Sequence, residues 1–306
     1  MRFRHRHRVV RIEKPGPVAN IGTLRGGARR RGQGSRAALR RSLFRHLIAA
    51  AALVLPVAPA SATAPPTGED RLLDSFVEDG ALIDKAWIEF KGGVRAANEG
   101  DDFGFGVRAA FRYGRDVEAG FDLAVLDRGR EAGAPLFGVE VPTRFEHAGA
   151  ADPMLYGKYR LLRGACDLAL GARVSIPLAD DDSGLTSGAY EGRGFVAFRG
   201  AWRRAALIGH LGIGASGDAR YEQGAEGQTF ATGSFGSVVV LSRLWNLTAE
   251  VDFEGARFRG EEERGRGLVG LDWHPTVNLR VRGGLGTGWG RDGSTLRGVV
   301  AAAFHF

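Results

Sequence analysis

The sequence lacks the features of several common protein classes. Its 306 residues include one cysteine, Cys166, so no disulfide can form within the chain. After residue 62 no run of 18 apolar residues occurs, which argues against a transmembrane helix in that part. The histidines after residue 62, His147, His210, His274 and His305, show no metal-ligand spacing with another histidine, a cysteine or a carboxylate. We therefore expect neither a metal site nor a cofactor.

Positive charge is concentrated at the start of the chain. Residues 1–62 hold 14 Lys and Arg against one acidic residue, whereas the whole chain carries a net charge of +7. The remaining 244 residues are therefore net acidic, at −6. The isoelectric point near 10.0 belongs to this leader, and we expect no nucleic-acid partner.

The first 62 residues have the pattern of an export signal. An apolar run, Leu47 to Ala58, is followed by Ala60-Ser61-Ala62, with small residues at the positions that a signal peptidase reads. We predict removal of residues 1–62 as a basic leader and signal peptide, with cleavage near Ala62. Met1 to Arg41 is interpreted as an over-long n-region or as the result of a mis-assigned start codon. A basic tail is the alternative. Residues 63–83 are predicted to form a periplasmic N-terminal segment and residues 84–306 a barrel. Leu72 to Asp84 is a candidate periplasmic plug segment.

Apolar and polar residues alternate along many short segments of this last region. Phe103 to Tyr113 and Val117 to Val125 each have one apolar face and one face rich in charge or glycine. The chain ends in a similar alternation that finishes on Phe306. Together with the export signal, these patterns predict an all-β fold, a closed antiparallel transmembrane β-barrel of about twelve strands. A soluble sandwich is the alternative that alternation alone allows.

The strand count has one rival. Short and long connections alternate along the chain, which is typical of periplasmic turns and outside loops and gives twelve strands. Val139 to His147 also resembles a strand, and we place it in an outside hairpin. Fourteen strands, with one near Leu72 to Leu82, is the rival count.

The charged faces predict the lining of the lumen. Matching the faces across short turns places Arg112 opposite Glu118, Arg108 opposite Asp122 and Arg160 opposite Asp167. We favour packing of the wall by opposed charges over a solute-selective field. The candidate lining residues are Arg108, Arg112, Glu118, Asp122, Lys158, Arg160, Asp167, Arg173, Glu250, Asp252, Glu254, Arg280, Arg282 and Arg297.

Aromatic residues beside the short turns and at the chain end predict a girdle at the membrane interface. They are Tyr113, Trp202, Trp245, Trp273 and Phe306.

One region carries a family resemblance. The segment from His147 to Leu162 contains Asp152 and a Lys158-Tyr159 pair, and Leu168 to Leu178 forms a strand that ends at a proline. These motifs resemble those of the outer-membrane proteins grouped as the phenol-degradation meta-pathway transporter family. The break after the strand reads Ile-Pro-Leu-Ala here, which departs from the Leu-Pro-Thr-Gly form of that family. The resemblance implies a barrel for uptake of small hydrophobic or aromatic compounds.

These patterns favour a passive channel in the cell outer membrane, without enzymatic activity. The expected partners are outer-membrane lipid and lipopolysaccharide, the barrel-assembly machinery through the strand ending in Phe306, and a small solute. A structural or adhesive barrel with a plugged bore is the alternative. An outer-membrane lipid hydrolase is disfavoured, because Ser237 is predicted to face outward and His210 inward.

Overall fold

The computed structural model describes residues 65–97, 100–129, 134–136, 139–141, 148–178, 187–219, 225–290 and 295–306. Within these ranges no helix is long and apolar enough to cross a membrane. The strands, in chain order, are β1 Trp87–Ala97, β2 Gly100–Tyr113, β3 Val117–Gly129, β4 Ala134–Leu136, β5 Val139–Val141, β6 Ala148–Ala150, β7 Met154–Leu162, β8 Cys166–Ser175, β9 Glu191–Trp202, β10 Ala205–Ser216, β11 Thr229–Val240, β12 Trp245–Glu254, β13 Arg264–Trp273, β14 Leu279–Gly290 and β15 Thr295–His305.

Twelve strands of the described part close into an antiparallel barrel. From β7 to β15 each strand pairs with the next, β3 pairs with both β2 and β7, and β1 joins β2 to β15. The closing pair runs from Trp87 opposite His305 to Ala96 opposite Leu296. The predicted fold class is confirmed. Leu72 to Leu82, where the rival count placed another strand, contains none.

The two faces of each strand differ as the alternation predicts. Outward apolar side chains such as Phe105 and Leu123 are exposed, while the inward Arg108 and Glu118 are buried. Exposed apolar side chains on the outside and ionised ones toward the axis are the arrangement that a lipid environment requires.

The connections between strands differ at the two ends of the barrel. One end carries the turns 114–116, 163–165, 203–204, 241–244 and 274–278, and we call it the short-turn end. Phe306 lies there, because its backbone N–H donates to the carbonyl of Ala86 at 3.0 Å. The opposite end is called the long-loop end. The turn after β7 has three residues instead of the predicted two, and the register shifts between Arg160 and Leu162.

The predicted outside hairpin is present in part. β4 and β5 pair with each other in a separate two-stranded sheet. The rest of the predicted segment, residues 142–147, lies outside the described residues.

Candidate functional site

The lumen of the barrel contains the segment that precedes β1. Residues 65–86, which we call the plug, form neither helix nor strand and pack against the inward face of the wall. Leu72, Phe76 and Ile83 are fully buried. The sequence assigned residues 63–83 to the periplasm and began the barrel at residue 84. In the structure the described part of that segment lies inside the barrel, and β1 begins at Trp87.

Glu118 of β3 binds the plug near the short-turn end. Its Oε2 accepts hydrogen bonds from Arg71 Nη2 at 3.0 Å and from the backbone N–H of Ile83 at 2.8 Å. Lys158 Nζ lies 3.0 Å from the other carboxylate oxygen and also donates to the carbonyl of Asp79. The Glu118 carboxylate thus binds the plug both near its start, at Arg71, and near its end, at Ile83, and it also binds Lys158 of the neighbouring strand β7.

Glu250 of β12 binds the middle of the plug. Its carboxylate accepts three backbone N–H groups, those of Leu73 at 3.0 Å, Asp74 at 3.0 Å and Ser75 at 2.9 Å. Successive N–H groups that converge on one anion form a strong binding concavity. Here the wall supplies the anion and the plug supplies the concavity.

Further ion pairs join the plug to the wall around its circumference. Asp79 pairs with Arg199 at 2.7 Å, and Arg199 is also bonded to the carbonyl of Asp70. Asp74 pairs with Arg297 at 2.7 Å, and Glu78 pairs with Arg173. The polar contacts therefore reach strands on opposite sides of the barrel.

The apolar side chains of the plug fit against glycines and small residues of the wall. Leu72 packs with Ala206, Ile208 and Val238, and Leu73 with Leu268 and Val299. A Cβ atom built on Gly236 would lie 2.6 Å from Leu72 Cδ1, and one on Gly270 would lie 2.7 Å from Leu73 Cδ1. The wall thus has room for these leucines because glycine stands at both positions.

A compact charged cluster lies where the plug meets the short-turn end. The ligand atoms of Asp70, Asp272 and His274 lie within 4.8 Å of one another. Arg280 Nη1 lies 2.8 Å from the Asp70 carboxylate, 3.1 Å from that of Asp272 and 3.1 Å from His274 Nε2. A guanidinium already supplies the positive charge between these groups, so their arrangement does not favour a metal ion.

A partly open cleft separates the plug from the long-loop end. The space between its atoms, counted together with the open solvent at its mouth, is about 310 Å³. The wall side chains of the cleft pair with one another, as in Arg266 with Asp252 at 2.9 Å and Arg193 with Glu254. The lining residues are Asp74, Ser75, Glu78, Arg173, Arg193, His210, Thr232, Gly233, Asp252, Phe253, Glu254 and Arg266.

The structure places most of the predicted lining residues on the inward face. Seven contact the plug directly, namely Arg108, Arg112, Glu118, Lys158, Arg173, Glu250 and Arg297. Arg280 and Arg282 also contact it, at Asp70 and at the carbonyl of Arg71. Asp122 pairs with Arg108 as predicted, at 2.8 Å, and Asp252 and Glu254 lie in the cleft.

Two predicted ion pairs are wrong. Arg112 and Glu118 lie opposite each other in register, as predicted, but they do not form an ion pair. The Glu118 carboxylate binds Arg71 of the plug and Lys158 of the wall, and Arg112 pairs with Asp84 instead. Arg160 lies opposite Ala169, and Asp167 lies opposite Arg199. Arg160 instead pairs with Asp116 at 2.9 Å, because the irregularity after Arg160 moves the register.

Several inward residues were absent from the predicted lining. Glu89 of β1 binds Arg282 at 2.8 Å, and Arg199 and Arg266 bind acidic partners on the plug and the wall. Each alternates with outward residues along its strand, so the same period-2 pattern could have identified them. The plug residues Asp70, Arg71, Asp74, Glu78 and Asp79 carry no such pattern.

The predicted girdle residues are exposed beside the short turns or the chain end. Trp245 and Trp273 lie opposite each other in register and stack with ring centroids 6.0 Å apart. Contact with lipid headgroups stays a prediction for these residues.

Ser237 and His210 do not form a hydrolase site. His210 Nδ1 lies 2.6 Å from Ser234 Oγ within the lumen. Ser237 lies on the opposite face of its strand, between Phe235 and Val239 along the chain.

Comparison with known proteins identifies the fold. No protein-family model and no curated protein matches the chain. An outer membrane channel from Pseudomonas putida F1 is 12% identical, with 77% of this chain and 100% of that chain covered and a TM-score of 0.56. The NanC porin is 8% identical, with 72% and 100% covered and a TM-score of 0.54. The chain has a porin-like outer-membrane β-barrel fold. Membership of the meta-pathway transporter family stays a prediction.

Proposed function

We propose that this protein is an outer-membrane channel for small compounds, and that the plug closes its bore. The observation that carries the proposal is the content of the lumen. A bore that holds a polypeptide segment with its side chains is wide enough for a small metabolite when that segment leaves. The fold, which channels and porins share, supports the proposal without identifying a solute.

The outside of the barrel supports the proposed location. An apolar outer face and exposed aromatic residues near the short turns suit insertion in a bilayer. We propose export through the N-terminal signal, recognition of the strand ending in Phe306 by the barrel-assembly machinery, and contact with outer-membrane lipid and lipopolysaccharide.

Two observations bear on the solute. The family resemblance points to small hydrophobic or aromatic compounds, and for these we expect Leu136, Phe137, Val139 and Val141 of the long second loop to supply an apolar lip. Their side chains lie outside the described part of the structure. The described cleft is lined mainly by charged residues, which favours a solute that also carries an ionised group.

Conductance in planar bilayers tests the channel. We expect the full-length protein to be mostly closed with brief openings. Replacement of residues 72–82 by a Gly-Ser segment of equal length should give a much larger, steady conductance. The reason is that the specific contacts with Glu250 and much of the apolar packing between plug and wall are lost. Arg259→Gln is the matched control, since its pair with Glu226 is highly exposed. Heat-dependent migration on a gel reports whether each barrel is folded.

A structural barrel with a permanently plugged bore is the second candidate. The fit between plug leucines and wall glycines favours it, because that fit is specific to the closed state. A full-length protein that never opens, together with a conducting replacement variant, would establish this candidate. A folded replacement variant that conducts no better than the full-length protein would contradict the channel.

A further inference from the structure

Two of the plug carboxylates face the cleft at the long-loop side of the plug. Asp74 and Glu78 both line the cleft. Asp74 pairs with Arg297 at 2.7 Å, and Glu78 pairs with Arg173. The plug is thus fixed to two strands of the wall, β15 and β8, by carboxylate–guanidinium contacts at this level.

The guanidinium groups in these two pairs are more accessible than the carboxylates. The side chains of Arg297 and Arg173 are 18% and 22% exposed, against 7% for Asp74 and 5% for Glu78. Arginine has five N–H donors, so one carboxylate leaves part of the group available. Arg173 lines the cleft, so a molecule in the cleft can approach it while the plug is still bound.

The other described arginines of the cleft have acidic partners on the wall itself. Arg266 pairs with Asp252, and Arg193 pairs with Glu254 and Glu191. A carboxylate that competed for Arg266 or Arg193 would break an ion pair within the wall and would leave the plug's own contacts intact. At Arg173 a competitor would replace a contact that fixes the plug.

We propose that a small carboxylate-bearing solute binds Arg173 in the cleft and displaces Glu78. In the closed state the Glu78 carboxylate occupies the guanidinium group that binds the solute's carboxylate. Arginine binds carboxylates of either origin with the same geometry, so the exchange requires no other change in the wall. This inference rests on the proposed channel and names both its solute class and its opening signal.

Labelling of a buried plug residue tests the displacement without measuring transport. The test protein is the full chain with Cys166→Ser and Ser75→Cys, refolded in detergent, because Ser75 is buried on the plug and Cys166 is exposed. A water-soluble maleimide is added in sodium benzoate, in neutral benzamide, or in sodium chloride at equal ionic strength. With benzoate at about ten times its dissociation constant, the labelling rate should rise about tenfold, and benzamide and chloride should leave it near the basal rate.

Variants on both sides of the contact give the control. Arg173→Gln should raise the basal rate and abolish the benzoate effect. Glu78→Gln should do the same, because Arg173 is then already available and benzoate releases nothing. Arg259→Gln should keep the full benzoate effect.

Equal effects of benzoate and chloride would overturn the inference, as would a benzoate effect that persists in both Arg173→Gln and Glu78→Gln. The proposed channel fails separately, in the conductance experiment. If the variant with the Gly-Ser replacement of residues 72–82 conducts while benzoate never changes labelling, the proposed channel stands and the proposed carboxylate signal is wrong. If benzoate raises labelling in a barrel that never conducts, the displacement stands and the channel is wrong.

Discussion

At the scale of single residues, wall carboxylates bind the backbone of the plug. Glu250 contacts no Lys or Arg among its described hydrogen bonds and accepts three N–H groups instead. Hydrogen bonds to a charged acceptor contribute about 1.5–3 kcal/mol each, more than neutral ones. The plug's position therefore depends strongly on one side chain.

Glu250→Gln should loosen the plug and leave the barrel intact. The substitution keeps one oxygen but removes the charge and one acceptor, at a cost of about 1.5–3 kcal/mol. Amide hydrogen exchange at Leu73, Asp74 and Ser75 should then be about tenfold to a hundredfold faster. Glu226→Gln, at an exposed pair, should leave these rates unchanged. Unaltered exchange in Glu250→Gln would contradict the role of this carboxylate.

The sequence predicts which face a wall residue occupies but not always its partner. The period-2 pattern and the three-residue turn were sufficient for Arg108 and Asp122, which are close in the chain and in register. They were insufficient for Glu118, because its partner Arg71 lies 47 residues away on a segment without strand pattern. Arg160 was misplaced because an irregularity in β7 leaves no signal in the alternation.

At the scale of elements, the plug is the part that sequence reasoning described least well. It has no periodicity, and its polar groups are satisfied by the wall rather than within the plug. A signal was nevertheless present in the strands. Near the short-turn end, Ala206, Ile208, Val238 and Ala303 are apolar on the inward face as well. Strands that are apolar on both faces need a second packing partner inside, and here the plug is that partner.

The fit of Leu73 against Gly284 can be tested by a pair of substitutions. A Cβ on Gly284 would lie 3.1 Å from Leu73 Cδ1 and equally close to two wall atoms, Leu268 Cδ2 and Val269 O. Gly284→Ala should therefore weaken plug binding by about 1–3 kcal/mol through overpacking. Adding Leu73→Ala makes room, so the double variant should lose less than the sum of the two single losses. Hydrogen exchange of the plug amides measures each loss.

Gly283→Ala is the matched control on the outward face of the same strand. Its Cβ would meet only Val299 O, at 3.7 Å, which is ordinary contact. Strict additivity of Gly284→Ala and Leu73→Ala would show that the two residues do not compete for space.

At the scale of the whole molecule, the closed state depends on ionised plug carboxylates. Burial raises the pKa of Asp70, but the Arg280 guanidinium and hydrogen bonds lower this pKa by a larger amount. The net pKa therefore lies below the ordinary value of 3.8. Burial likewise raises the pKa of Glu78, and Arg173 brings the net pKa below the ordinary value of 4.5.

A lowered pKa determines the direction of the pH effect. Such a carboxylate stabilises the closed state fully above its ordinary pKa, and the contribution is lost as the pH falls through the lowered pKa. The contribution of Asp70 and Glu78 to plug binding should therefore be constant from neutral pH to about 5 and be lost progressively below about 4. Hydrogen exchange of the plug, corrected for the intrinsic effect of pH, measures this. A smaller loss below pH 4 is expected in Glu78→Gln, and an equal loss in the two proteins would contradict the assignment.

The direct continuity of the plug with β1 has a consequence for biogenesis. The chain passes from Ala86 into Trp87, and β1 forms the seam that completes the ring by pairing with β15. The segment inside the lumen and the strand that completes the ring are therefore one continuous piece of chain. A ring closed by this pair of strands already has that segment covalently attached at its seam, so filling of the bore needs no separate molecule.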